Sequence, residues 1–305
     1  MRSWRELLNK QVRLREGLEA LRKRYGAGYL FSDPLEFPRR FSRKEDREVV
    51  GLVASSLAYG NVTTIRGSLE RVLRWMGPRP ADFARRLHLR QALADLSDFR
   101  YRWSRGRDVV CLVYFAGQML TEAGSIEGFF RRGYDPDEDG LAGSLARFSK
   151  NVLALDHDAL YSASRGDELP ARAGVRFFFP SPRSGGACKR LNMFLRWMVR
   201  PDEGVDLGLW STIPAADLVI PLDTHMTRIG QHLGWTRRRS PGWKMALDIT
   251  CSLARIAPDD PVKYDFALSR MGILDGCPRH REKARCELCE LRVAGPRNRN
   301  QRRRS

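Results

Sequence analysis

Apolar residues return every three or four positions along most of this 305-residue chain, the spacing that lines one face of an α-helix. The pattern predicts an amphipathic helix over residues 2–25. A second is expected over 42–60, in SRKEDREVVGLVASSLAYG, with Ser42 as N-cap and Glu45 three residues on. A third runs from Asn61 to Met76 and stops at the Gly-Pro-Arg-Pro of 77–80. Further helices are expected over 107–122, 140–156, 187–200, 224–233, 241–257 and 261–271. No run alternates as a half-buried strand does, and no segment repeats. Residues 157–176 are polar and aperiodic and read as a loop, followed by Phe177, Phe178 and Phe179 as a buried anchor. The fold class implied is all-α.

The stretch SPRSGGACKRLNMFLRWMVR, residues 181–200, combines pattern with chemistry. On a helix over 187–200, Leu191, Phe194, Leu195, Met198 and Val199 share a core face. Lys189, Arg196 and Arg200 fall together opposite them, facing solvent or a ligand. Gly185 and Gly186 precede the helix, where bare backbone lets a ligand approach. The first helical N–H groups are unpaired and partly positive, which suits an anion. Together these make a phosphate cradle. The alternative is a plain turn with a solvated basic face.

Charge sharpens the choice. Lys and Arg number 54 against 36 Asp and Glu, a formal charge of +18. Such an excess suggests an anionic partner, most simply nucleic acid, although a generally basic proteome would produce it too. The arginine-rich tail over 295–305 has no packing pattern; it is expected to be disordered and to touch phosphate loosely. The N-terminal segment is charged throughout, and no apolar run approaches the roughly 18 residues that span a bilayer, so a cytoplasmic protein without a membrane partner is expected, nucleoid-associated if its anionic partner is DNA. Cys111, Cys188 and Cys251 sit in apolar helical contexts and read as buried free thiols.

The segment VIPLDTHMTRIG, 219–230, adds a motif. Asp223 stands where an apolar run meets a new helix, first of all an N-cap position. A glycine turn opening a helix, followed by apolar-Asp-Thr-His-x-x-Arg, resembles the helix-hairpin-helix DNA glycosylase superfamily, to which endonuclease III belongs. VVGLVASSLAYGNV (49–62) is similar to its early apolar helix, whose end reaches DNA near the lesion and here carries Tyr59 and Asn61. YDFALSRMGILDGC (264–277) is similar to the helix leading into its cysteine loop. The nearest likeness is to an uncharacterised bacterial branch of the superfamily, a domain of unknown function, over roughly residues 10–290.

The resemblance implies a two-lobed helix-hairpin-helix fold with double-stranded DNA in the cleft and a monomeric protein. Residues 42–205 would form a central lobe, and 1–41 with 206–294 the second. Pro182, Arg183, Gly185 and Gly186 would be the hairpin, with Arg190, Arg196, Arg200 and Arg228 as further DNA contacts. Lys189 matches the nucleophile of bifunctional members, and Asp223 the acidic partner. A simple phosphate contact is the other role open to Lys189. His225 reads as a packing residue. Two departures bear on Lys189: the turn reads SPRSGG rather than Leu-Pro-Gly-Val-Gly, and Asp223 lies 34 positions after Lys189, longer than is typical. The implied activity is base excision, with abasic-site lyase chemistry if Lys189 attacks C1′ as a free amine. A non-catalytic reader of damaged DNA or structured nucleic acid on the same fold is the alternative.

Cys277, Cys286 and Cys289 have ligand-like spacing. Endonuclease III holds a four-iron four-sulfur cluster at this place with four cysteines; here ELRVAG follows Cys289 and supplies none. His280 completing a Cys3His zinc site, or a loop without metal, are the other readings.

Overall fold

The computed structural model describes residues 4–138, 140–161, 168–278, 282, 286 and 289–291. It is mostly helical. α1 (Trp4–Arg24) carries Leu14, Leu18 and Leu21 on one stripe, all buried, and ends with Arg22, Lys23 and Arg24 against its negative pole. A short 3₁₀ turn leads to α2 (Glu36–Arg39), then α3 (Lys44–Leu57), α4 (Val62–Met76), α5 (Pro80–Arg85) and α6 (Leu89–Asp95). The helix expected from Ser42 starts two residues later, and its N-cap Arg43 makes no side-chain cap.

A two-stranded antiparallel hairpin follows, β1 (Arg100–Tyr101) and β2 (Ser104–Arg105). Its tip is Arg102–Trp103, with Arg102 in the left-handed region at φ 52. Pattern reading missed it, because the strands are two residues each and the tip lacks the glycine or asparagine that marks such turns.

α7 (Gly106–Ala123) is apolar nearly all round, as a core helix must be, and ends on left-handed Gly124. Gly117 lets α5 cross it closely: a Cβ there would land on the Ala84 carbonyl. α8 (Ile126–Arg131), α9 (Gly140–Leu153) and α10 (Asp158–Tyr161) come next. The first and last of these short helices, with α2, α5 and α6, span too few residues to register as periodic. Phe178 and Phe179 are buried as expected, whereas Phe177 is exposed.

α11 (Lys189–Val199) is wrapped by α3 and by segments further along the chain. α12 (Thr224–Leu233), α13 (Trp243–Ala254) and α14 (Asp265–Leu274) follow. α14 packs on both α12 and α1, so the N-terminal helix closes against the C-terminal third. His225 packs where α12 meets α14: a Cβ on Gly272 would sit 2.7 Å from the His225 Cβ. One apolar cluster runs from Leu14 to Leu291. No described helix is long and apolar enough to cross a membrane.

Candidate nucleic-acid interface

The glycine turn is built locally. Pro182 opens a 3₁₀ turn to Ser184, capped by Ser181, whose hydroxyl accepts from the Arg183 N–H. Gly185 closes it in the left-handed conformation at φ 80, its N–H donating to the Pro182 carbonyl at 2.9 Å. Arg183, Gly185 and Gly186 are exposed and Pro182 is buried. Space beside both glycines is open: no heavy atom lies within 4 Å of a Cβ placed on Gly185, and only the Ser184 hydroxyl lies near one on Gly186, at 3.9 Å. Cys188 then caps α11 at φ 48, unusual for a side chain with a Cβ. Its thiol is buried against the Pro180 and Gly186 carbonyls, and burial pushes it up to about 12.

Beside this turn lies an aromatic cluster that sequence reading did not assemble. Tyr59, at the end of α3, stacks on Trp103 of the hairpin tip with ring centroids 5.5 Å apart and 11° between planes. Phe177 meets both edge-on, at 5.3 and 5.8 Å. The Tyr59 hydroxyl bonds Ser104 at 2.7 Å, which fixes the hairpin against α3. Trp103 is nonetheless 60% exposed and Phe177 38%. Arg190 lies over Phe177 at 3.5 Å and over Tyr59 at 5.6 Å, and Arg102 stands 5.0 Å from the Trp103 ring. Arg190 donates to the Phe177 and Ser56 carbonyls. Burial pushes its guanidinium down to about 10. In the sequence Arg102 and Trp103 are signalled only by the alternation of arginine and aromatic in RYRW, whereas Phe177 reads as part of a buried anchor.

Arg196 and Arg200 are not part of a basic face. They are 3% and 4% exposed. Arg196 pairs with Asp206 at 3.1 Å and with Asp265, and Arg200 with Asp206 and with Asp260 at 2.8 Å. The 200–206 segment and the start of α14 bring carboxylates over the face that helical spacing left for solvent. Buried cations require such partners. Asn61 caps α4, accepting from the Thr63 N–H at 2.8 Å. Arg228 points at the Cys277 carbonyl, 2.6 Å away, and supports the start of the cysteine loop instead of an outer surface.

Lys189 occupies the first position of α11, half-buried, and Asp223 caps α12 by accepting from the Met226 N–H at 2.6 Å. No hydrogen bond or ion pair joins Lys189 to Asp223. Lys189 and Arg196 lie seven residues apart on α11, ~20° around the helix and ~10 Å along it. Arg196 grips Asp265. Burial raises Asp265 to about 6; the Arg196 charge opposes this and the nearby Asp223 charge adds to it. A cleft of about 1150 Å³ opens beyond the turn, lined by Arg147, Lys150, His157, Arg176, Ser181 and Arg183; neither Lys189 nor Asp223 lines it.

The Cys277 thiol approaches His232 Nδ1 at 3.7 Å. Among the described residues no three of His, Cys, Asp and Glu converge as metal ligands. Burial first, then the neighbouring cysteines, push the Cys277 thiol up, and burial does the same at Cys289. His280 lies outside the described residues. Cys251, expected to be buried, is exposed on α13, while Cys111 and Cys188 are buried.

Residues 33–274 match a family model described as a protein of unknown function (DUF2400). No curated protein and no solved structure matches the chain.

Proposed function

The chain belongs to the DUF2400 family, and we propose, from its site residues and their resemblance to the helix-hairpin-helix DNA glycosylases, that it is a DNA base-excision glycosylase acting on double-stranded DNA. The observation that carries this reading is the juxtaposition at the start of α11. An open glycine turn, a lysine at the first helical position and an exposed Trp103–Tyr59–Phe177 cluster with its arginines lie side by side. Backbone amides and cations suit phosphate, and aromatic faces suit a base taken out of the stack.

The chemistry follows from the same residues. Positive charge develops on the sugar as the C1′–N bond breaks and the base leaves with the electron pair. Asp223 keeps one carboxylate oxygen on the α12 amide and turns its charge to the cationic sugar. In the bifunctional form the Lys189 amine bonds to C1′ as the base departs and then loses a proton; its lone pair expels O4′, which takes up a proton as the sugar ring opens, and the resulting Schiff base permits strand cleavage by β-elimination of the 3′ phosphate. The expected test result is a borohydride-trapped adduct on a duplex carrying a damaged base. The adduct disappears in Lys189→Gln, and base release falls ~100-fold or more in Asp223→Asn. Asparagine caps a helix as well as aspartate does, so that variant keeps its fold.

A second reading, a non-catalytic binder of damaged DNA, is favoured by two facts. Asp223 has a complete structural role as a cap, and the large cleft excludes it. Neither adduct nor base release, with salt-sensitive binding that survives Asp223→Asn, would establish the binder.

A further inference from the structure

We propose that the segment Arg237–Lys244, a loop running into the first turn of α13, is a second contact for the duplex DNA backbone, held in fixed register with the glycine turn; the choice of DNA as partner rests on the function proposed above. The turn and the loop are distant in sequence and touch in space. The Trp243 N–H donates to the Gly185 carbonyl at 3.0 Å. Gly242 permits the approach, since a Cβ there would sit 2.7 Å from that carbonyl oxygen. Backbone cannot swing away as a side-chain end can, so the two segments are set against each other rigidly.

The loop is strongly basic. Arg238 is neutralised by Asp248 at 2.9 Å. Arg237, Arg239 and Lys244 are exposed, and none has a carboxylate partner among the described residues. The backbone that carries them is pinned. The Arg238 N–H donates to the Thr236 hydroxyl at 3.2 Å, the Gln231 amide donates to the Arg238 carbonyl at 2.9 Å, and the Thr236 hydroxyl donates to Asp248 at 2.8 Å. Like charges on a fixed backbone repel one another, and a polyanion relieves that repulsion. A single phosphate would satisfy the turn alone. Cations at two braced places suit successive phosphates of one duplex.

The test is fluorescence anisotropy of a labelled 20-bp DNA duplex titrated with full-length protein over a salt series. Arg237→Gln/Arg239→Gln is compared with a charge-matched control, Arg86→Gln/Arg90→Gln, at exposed positions on another part of the surface. The expected result is a slope of log K against log salt shallower by about 1.8 in the loop variant, about 0.9 for each lost phosphate contact, with the control unchanged. Wild type binding DNA with the same slope as the loop variant overturns the loop contact and leaves the DNA reading standing. Wild type failing to bind DNA overturns both. Loop-dependent binding found only with duplex RNA or anionic vesicles overturns the proposed partner.

Discussion

Arg196 and Trp103 show how far a residue's role depends on what packs around it. Arg196 has the spacing of a surface cation, yet it sits among buried carboxylates. Replacing it with Met leaves Asp206 and Asp265 with buried charge and one partner fewer. We expect Arg196→Met to cost about 3–5 kcal/mol, read as a lower urea midpoint. A surface change such as Arg237→Gln should shift that midpoint by no more than ~0.5 kcal/mol. Trp103 is the converse, a large apolar side chain held out in solvent by Tyr59. Trp103→Ala should weaken binding to a duplex with an unpaired base by about 1–3 kcal/mol, the worth of one stacked base. Intact duplex should be affected far less. Competition between the two duplexes checks it, and equal losses on both would show that Trp103 reads no unstacked base.

Elements in this fold are joined by buried side-chain acceptors as much as by apolar contact. Glu48 on α3, wholly buried, accepts from the Ile126 and Glu127 N–H groups at 3.1 and 3.2 Å and from the Trp210 indole at 2.6 Å. It thus fastens the start of α8 and the 201–213 segment to α3. Glu127 repeats the device, accepting from Ser211 and Thr212 and pairing with Lys44 at 2.6 Å. Glu48→Ala orphans three donors at once, so a loss above about 3 kcal/mol is expected, with Glu48→Gln milder because its carbonyl oxygen still accepts. Denaturant unfolding of the two variants distinguishes them. The long helices were legible: α12 falls on 224–233 as its pattern predicts, and α4 and α11 lie within a residue or two of theirs. Among the described residues, the five α-helices of seven residues or fewer and the hairpin were not, because so short an element shows less than two turns of periodicity or a single alternation.

For the whole molecule, the docking of α1 is where pH should act. Glu19 meets Lys263 at 2.9 Å and the Tyr264 hydroxyl at 2.8 Å. Partial burial works against its ionisation, but hydrogen bonds from Lys263 and Tyr264 and the Lys263 charge outweigh it and lower the carboxyl from 4.5 to about 2. The folded state therefore binds its proton less readily than the unfolded chain. Its contribution to stability is fully present above pH 4.5 and is lost as pH falls toward 2. Urea midpoints measured across that window should decline for wild type and decline less for Glu19→Gln. An identical slope in both would remove Glu19 as the group responsible.

The sequence by itself determined that the protein is mostly helical, where its long helices run, and that it carries a large excess of positive charge. Periodicity and composition are local properties, and helices answer to them. It also marked the glycine turn and the Asp223 cap, since both depend on residues adjacent in the chain. Only the tertiary structure decided which cations face solvent. Arg196 and Arg200 are claimed by carboxylates from residues 206, 260 and 265, whereas Arg237 and Arg239 are left exposed. It alone brought Tyr59, Trp103, Phe177 and Arg190 together, and Trp243 to Gly185. Those meetings come from segments far apart in the chain. Their proximity is set by how the helices cross, which no local pattern encodes.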